Sequence, residues 1–289
     1  MKWLAVGLTI LLTPFAWPQI GTGTVLLIYF SKDEVTVAAD SRVTASDGTH
    51  GDDECKISTF GSKFAFTMAG VAHRNKGSTN QAWNAHAIAR RAWEANAPKH
   101  LDDAIGLAVA AEQSWTKEMK SVYSDPVIIK LVRSKMKVGD DPVLATAVFI
   151  ATDNKGTLVV HTASLVFDIS LYDSSGKIAV VDEPAVNLPE NSHMSGGHDE
   201  IITEFLDQTT VRAREYMPWF KSRIASLPRA EQTAELVSKM VELSILLHPD
   251  NGELGFPIDI IQMRRRDGLR TLSMKSECDG QQNSTHGTN

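Results

Sequence analysis

The sequence predicts an α+β fold, a four-layer αββα sandwich in which two antiparallel sheets lie between helix layers. Apolar runs of strand length, bounded by turn residues, occur near the start, in the middle and near the end of the chain. Pairs of segments with helical spacing separate these strand groups. The predicted order is therefore strands, two helices, strands, two helices and strands. No internal repeat or long linker interrupts this order, which predicts one folded domain.

Two hairpins form the first strand group. Val25–Phe30 and Val35–Asp40 are apolar runs on either side of the turn "SKDE". Lys56–Thr59 and Lys63–Gly70 repeat this arrangement around "FGS". Short apolar runs on both sides of a polar turn are typical of antiparallel strand pairs, so we expect two hairpins.

The first helical pair and the second strand group come next. Residues 78–100 have helical spacing and are stopped by Pro98. Residues 101–122 open on the acidic pair "DD", which is typical of a helix start. Residues 144–181 predict three strands with turns at "NKG" and "SSG".

The second helical pair and the last strands complete the order. Residues 198–217 and residues 229–248 have helical spacing and predict one helix each. Residues 256–274 predict a strand, a turn at Asp267-Gly268 and a second strand. Two sheets packed face to face leave their outer faces uncovered, and the helices would cover them.

The N-terminal residues have the features of a secretory signal. Lys2 precedes the apolar run Leu4–Phe15, and no further charge occurs before Lys32. A membrane anchor is the alternative, but prolines and glycines interrupt the run before about 20 apolar residues accumulate. We therefore predict a cleaved signal and export to the periplasm or the cell exterior, with membrane contact only through an uncleaved signal. The predicted divisions are a signal at residues 1–23, a folded domain at 24–275 and a disordered tail at 276–289.

Charge and cysteine content narrow the classes of function. The chain has 29 Lys and Arg against 35 Asp and Glu, a net charge of −6, which argues against a nucleic-acid partner. An exported protein could pair its two cysteines, Cys55 and Cys278, but the polar tail around Cys278 favours unpaired thiols. No CxxC or HExxH motif and no His/Cys cluster in the sequence indicates a metal site, and no cofactor is predicted.

Four residues in or beside the first hairpins carry groups that a nucleophilic site needs. Asp40 ends a strand, where Asp is most often a turn former or cap, and Lys56 lies in an apolar strand, where an exposed face is the usual explanation. Gly70 ends a strand and suits a close backbone approach. If the hairpins lie side by side, Thr24 and Asp40 are neighbours and Lys56 is on the adjoining strand. A hydroxyl, a carboxylate, an ammonium and a Gly amide would then meet in one place.

These residues resemble the proteasome β-subunit group of N-terminal nucleophile hydrolases. The resemblance is carried by "GTVLLIYFSKDEVTVAADSR" and "DDECKISTFGSKFAFTMAGVA". The four residues are separated by 16, 16 and 14 residues, as in the family. In this register Thr24 matches the family's nucleophile and Asp40 its strand-end Asp. Lys56 matches the catalytic Lys, and Gly70 matches the oxyanion-hole Gly. The register also selects Thr24 rather than Thr22 as the nucleophile, released by cleavage after Gly23.

The resemblance is weaker beyond residue 72. "HMSGGHDE" resembles the family's Gly/Ser-rich loop before the third helix, which matches Ser195 to its serine. "LLHPDNGELGFPIDIIQMRRRDG" resembles the closing helix, loop and strand, where Asp250 matches the Asp that helps to orient the N-terminal amine. The family's repeated threonines after the nucleophile are Val25 and Leu26 here, and its "SGG" loop is "GELG". Proteasome β-subunits are not normally exported, so ring assembly is not carried over, and a homo-oligomer stays open.

The resemblance implies a threonine-nucleophile amide hydrolase, a peptidase that acts through an acyl-enzyme. A hydroxyl needs a base, and a freed Thr24 α-amine can serve, since its ordinary pKa is about 7.7–8.0. Lys56 would lower that pKa, Asp40 would hold Lys56 in place, and the Gly70 amide would donate to the oxyanion. Self-cleavage would free the amine, and so would a signal peptidase that reads the small residues of "GTG".

Two other functions stay open. A catalytically inactive protein of the same fold, used for binding or assembly, is favoured by Val25, Leu26 and "GELG". It is disfavoured because both Asp40 and Lys56 are kept in register. An amidase or acylase of small metabolites would differ from a peptidase only in its substrate. The expected partner is therefore a peptide or another amide.

Overall fold

The computed structural model describes eleven parts of the chain. These are residues 20–21, 24–44, 50–51, 55–74, 83–126, 128–130, 143–168, 179–182, 185–248, 254–275 and 278. Most of the predicted signal, the "SSG" turn, Asp250 and most of the predicted tail lie outside them. Among the helices in these parts, none combines the length and the apolar character that a membrane crossing needs.

Strands make up much of the described chain. In chain order they are β1 (Ile20–Gly21), β2 (Val25–Phe30), β3 (Glu34–Asp40), β4 (Val43–Thr44), β5 (His50–Gly51), β6 (Ile57–Phe60), β7 (Phe64–Gly70), β8 (His73–Arg74), β9 (Trp83–Asn84), β10 (Val143–Thr152), β11 (Leu158–Asp168), β12 (Ala179–Asp182), β13 (Val186–Asn187), β14 (Ser192–Gly197), β15 (Ile258–Arg264) and β16 (Gly268–Ser273). The helices are α1 (Ala85–Asn96), a 3₁₀ turn (Ala97–Lys99), α2 (Ala104–Tyr123), α3 (Glu200–Leu206), α4 (Val211–Ala225) and α5 (Arg229–Leu247).

Two large antiparallel sheets organise these strands. One sheet has the order β14-β2-β3-β15-β16, and we call it sheet I. The other has the order β12-β11-β10-β7-β6, with β13 also pairing with β11, and we call it sheet II. Smaller pairings join β1, β8 and β9, and join β4 to β5.

Three apolar cores show that the molecule has four layers. One core lies between the sheets and contains residues from both, such as Leu26 and Val148. A second joins the outer face of sheet I to α3, α4 and α5, and a third joins the outer face of sheet II to α1 and α2. Alternation along β2 fits this arrangement, because Val25 and Leu27 face the helices while Leu26 faces the other sheet. The predicted αββα sandwich is confirmed.

The two N-terminal hairpins lie in different sheets, which corrects the expected side-by-side arrangement. β2 pairs with β3 in sheet I, and β6 pairs with β7 in sheet II. The residues of β3 from Val35 to Asp40 are all buried, and β7 is buried as far as Ala69. Strands buried on both faces need a cover on each side, which a second sheet and a helix layer provide.

The first helices follow the sequence signals closely. α1 begins after Asn84, whose side chain accepts hydrogen bonds from the first backbone N–H groups of the helix, and it ends just before the 3₁₀ turn that contains Pro98. α2 begins after Asp103, which accepts a hydrogen bond from the Gly106 amide at 2.9 Å. The start of α2 agrees with the prediction, but α1 starts at Ala85 and not near residue 78, because Trp83 and Asn84 form β9.

The region before the last helix differs from the prediction. Residues 198–217 were expected to form one helix, but α3 ends at Leu206 and α4 starts at Val211. Gln208 has a positive φ of 53°, which interrupts helical geometry, and the Thr210 side chain caps α4. The expected loop "HMSGGHDE" is strand β14 as far as Gly197, because its backbone extends the edge of sheet I along β2.

Cys55 and Cys278 form a disulfide, with a Cα–Cα distance of 5.3 Å. The preference for unpaired thiols is therefore wrong. The cause is a fold that brings residues 223 positions apart together, which spacing in the sequence does not reveal. The bond ties Cys278, beyond β16, to the residue immediately before Lys56.

Candidate active site

Thr24 and Asp40 are neighbours at one end of sheet I. Thr24 directly precedes β2 and Asp40 ends β3, and antiparallel pairing brings these two ends together. Asp40 Oδ1 accepts a hydrogen bond of 2.9 Å from the backbone amide of Val25. The sequence argument predicted this proximity from hairpins lying side by side, but the pairing within the first hairpin is enough to produce it.

Lys56 reaches this site from sheet II. It lies immediately before β6, and its Nζ donates a hydrogen bond of 2.7 Å to Thr24 Oγ1. Both side chains are buried, each with 3% of its surface exposed. The Thr67 hydroxyl donates to the Lys56 carbonyl at 2.8 Å and fixes the backbone at this point. The common explanation of a solvent-facing lysine is therefore wrong for Lys56.

The Asp40 carboxylate connects three parts of the backbone. Besides the Val25 amide, it accepts hydrogen bonds from the amides of Arg42 at 3.2 Å and Gly255 at 3.3 Å. Gly255 is the last residue of "GELG", so this end of the segment contacts the site. Asp40 thus serves as a backbone cap as well as a charged neighbour of Lys56.

Burial raises the pKa of the Asp40 carboxyl. The side chain is fully buried, and the loss of hydration raises its pKa from 3.8 to about 6. The positive charge of Lys56 and the three amide donors act in the opposite direction and offset part of this rise. Asp40 is therefore ionised at neutral pH and protonated in mild acid.

The raised pKa predicts a pH-dependent stability that Asp40→Asn removes. Between about pH 4 and pH 6 the folded protein binds more protons at Asp40 than the unfolded chain, so the free energy of unfolding falls as the pH rises. This contribution is fully present below the unfolded pKa, is lost above the folded one, and reaches at most about 3 kcal/mol. Urea unfolding of wild type and Asp40→Asn between about pH 4 and pH 7 measures it.

Asp207→Asn, which changes an exposed carboxyl, is the matched control and should keep the wild-type slope of stability against pH. Equal slopes in wild type and Asp40→Asn would show that Asp40 does not titrate in this range.

Gly70 makes the close approach expected of it, but to a neighbouring strand. It ends β7 with φ of +111°, and a Cβ built there would lie 2.3 Å from the carbonyl oxygen of Leu144. Its partner across the strands is Ala145 of β10. Glycine at this position is explained by backbone packing, and the oxyanion role of its amide stays a prediction.

Ser195 lies in β14, opposite Leu27 of β2, rather than in a loop. Its Oγ donates a hydrogen bond of 2.6 Å to Oδ2 of Asp199, at the turn into α3. Its predicted role beside the nucleophile is not decided by this contact. Asp250 lies outside the described residues, so its predicted role is likewise left as a prediction.

The turn after β14 also supports Thr24, which the sequence argument missed. The His198 amide donates a hydrogen bond of 2.8 Å to the Thr24 carbonyl. Gly197 has φ of +79°, and a Cβ built there would lie 1.8 Å from the same carbonyl oxygen. The paired glycines of "SGG" were the available signal, because glycine permits both this φ and this close approach.

Val25 and Leu26 stand where the proteasome β-subunits that the sequence resembles have repeated threonines. Both are fully buried, on opposite faces of β2 and in two different cores. A hydroxyl at either position would need a hydrogen-bond partner in apolar surroundings. Their apolar character therefore does not count against a functional Thr24.

No family model matches this chain, and no curated protein matches it. The chemical interpretation therefore depends on the site itself. A buried hydroxyl that accepts a hydrogen bond from a buried ammonium keeps its own proton available for transfer to a base. An adjacent carboxylate balances the ammonium charge. These are the components of an activated nucleophile, provided that a base lies within reach.

Proposed function

We propose that this protein is a threonine-nucleophile amide hydrolase, a peptidase in which Thr24 is the nucleophile and its own freed α-amine is the general base. The observation that carries the proposal is the 2.7 Å hydrogen bond from Lys56 Nζ to Thr24 Oγ1. Both groups are buried, and Asp40 lies against the next amide of the same strand. A lysine with a packing role alone would not need to contact the hydroxyl of Thr24, the residue just before β2.

In the proposed reaction, Thr24 Oγ bonds to the substrate carbonyl carbon while its proton passes to the α-amine. Amide donors at the site stabilise the oxyanion, with a contribution of about 3–4 kcal/mol each, and Gly70 is the predicted donor. The C–N bond then breaks, and the leaving amine takes the proton from the α-ammonium. Water then gives a proton to the α-amine and adds to the remaining ester; the C–Oγ bond breaks, the acid leaves, and the α-ammonium passes the water-derived proton to Oγ.

Lys56 and Asp40 make the base effective in this scheme. A positive charge near the α-ammonium disfavours that charged form, so a larger share of the amine is neutral near pH 7. Asp40 is ionised at that pH and keeps the Lys56 charge compensated in a buried site. The proposal requires cleavage between Gly23 and Thr24, since a peptide nitrogen is not basic.

Export of the chain is part of the proposal. The Cys55–Cys278 disulfide supports it, because such bonds persist in oxidising compartments such as the periplasm and the extracellular space. A signal peptidase that cut after Gly23 would release the protein and expose the α-amine in one step. Intact-mass analysis of the exported protein tests this step, and a mature chain that begins at Trp17, Gln19 or Ile20 would exclude it.

Hydrolysis is tested with chains of defined N-terminus. A chain that begins at Thr24 is expected to cleave members of a fluorogenic peptide panel. A chain that keeps Gly23 before Thr24 is expected to be inactive, because its Thr24 nitrogen remains in a peptide bond. Thr24→Ala should lose all turnover, while Thr24→Ser should keep part of it, because serine retains the hydroxyl and the amine.

Two results would overturn the proposal. One is a lack of turnover by the chain that begins at Thr24, and the other is equal turnover by its Thr24→Ala variant. Turnover of small acylated amines without turnover of peptides would instead move the substrate class from peptides to small amides, which removes the peptidase part alone.

A further inference from the structure

Two histidines and a glutamate converge beside the turn that supports Thr24. His198 and Glu200 lie at the start of α3, and His248 caps the C-terminal end of α5. Their candidate ligand atoms all lie within 4.8 Å of one another. We propose that these three side chains bind a transition-metal ion, with Zn²⁺ as the best match.

The donor set selects the class of metal. Two imidazole nitrogens and one carboxylate oxygen suit zinc and its neighbours, whereas Mg²⁺ and Ca²⁺ prefer oxygen ligands alone. Tetrahedral zinc with bonds of about 2.0–2.1 Å places its ligand atoms about 3.3–3.5 Å apart. The side chains therefore need shifts of about 1 Å, and Glu200, which is exposed, can make most of this adjustment. A fourth position would be left for water.

The surroundings favour a cation. His248 follows the last residue of α5, a helix of 19 residues whose C-terminal end carries partial negative charge. The rings of His198 and His248 pack edge to face, with centroids 4.8 Å apart. An aromatic contact explains the two rings, but it does not explain why the Glu200 carboxylate lies within reach of both.

A bound ion would hold in place the turn whose backbone contacts the Thr24 carbonyl. The His198 amide donates to the Thr24 carbonyl at 2.8 Å, so a metal bound by the His198 ring would join the end of α5 to that support. No step of hydrolysis is assigned to the ion. The proposal does not depend on hydrolase activity, because its evidence is the ligand set and its surroundings.

Titration of the full chain with Co²⁺, after removal of metals by a chelator, tests the site. The wild type is expected to bind one equivalent with visible absorption bands, and Zn²⁺ should displace it. His198→Ala, His248→Ala and Glu200→Gln should each weaken Co²⁺ binding at least about tenfold. His193→Ala, an exposed histidine of β14, and Glu231→Gln, an acid in the first turn of α5, are the matched controls and should bind as the wild type does.

Thermal melts separate metal binding from folding. In chelator, Glu200→Gln should melt only slightly below the wild type, since it loses an acidic charge in the first turn of α3, and Zn²⁺ should raise the Tm of the wild type alone. Glu200→Gln decides the question if either histidine variant fails to fold, because this residue is exposed. A wild type without Co²⁺ bands, or bands that Glu200→Gln leaves unchanged, would overturn the proposal.

Discussion

Lys56→Met is expected to lower kcat/KM for peptide hydrolysis by at least about 10³-fold in the chain that begins at Thr24. Methionine fills much the same space, but it cannot donate the 2.7 Å hydrogen bond to Thr24 Oγ1. It also brings no positive charge to disfavour the α-ammonium of Thr24. The measurement is kcat/KM with the peptide that the wild type cleaves fastest.

Lys155→Met provides the control, because Lys155 is exposed in the turn between β10 and β11. It removes the same charge from the chain and should leave kcat/KM unchanged. Circular dichroism spectra and melting temperatures of both variants show whether a loss of activity reflects unfolding. A folded Lys56→Met variant with wild-type kcat/KM would exclude Lys56 from the reaction.

Gly197→Ala is expected to destabilise the fold by at least about 3 kcal/mol, measured as the free energy of unfolding in urea. The added Cβ would lie 1.8 Å from the Thr24 carbonyl oxygen, so β14 and the start of β2 would have to separate. The same movement would break the hydrogen bond from the His198 amide to this carbonyl.

Gly156→Ala isolates the contribution of that clash. Gly156 has φ of +80°, close to the +79° of Gly197, but the nearest atom to its added Cβ is 3.7 Å away. Its cost is therefore the conformational term alone, about 1–2 kcal/mol. Equal losses in the two variants would show that the Thr24 carbonyl does not limit the space at Gly197.

The fold could be predicted to the level of its layers because most strands and helices are marked locally. The pairing of β2 with β3 and of β6 with β7 follows from short turns between apolar runs. The placement of these hairpins in different sheets does not follow from local sequence, because it depends on which elements cover their faces. β14 was missed for the same reason: its sequence of small and polar residues becomes a strand only when β2 offers an edge.

The candidate site was likewise only partly predictable from the sequence. The meeting of Thr24, Asp40 and Lys56 was predicted from side-by-side hairpins and from the family resemblance. Lys56 instead reaches Thr24 from the other sheet, an arrangement that the spacing alone does not indicate. The backbone donors were not predictable, since Gly255 reaches Asp40 from 215 residues away and leaves no side-chain signal. The disulfide next to Lys56 was misjudged because pairing depends on distance in the fold and not on local composition.

This disulfide joins residues that are synthesised far apart in time. Cys278 is synthesised 223 residues after Cys55, well after Thr24, Asp40 and Lys56. A chain that ends between Asp250 and Cys278 would therefore contain every predicted site residue and still lack the covalent anchor next to Lys56. Premature termination in that interval would leave Lys56 without the covalent tie beside it.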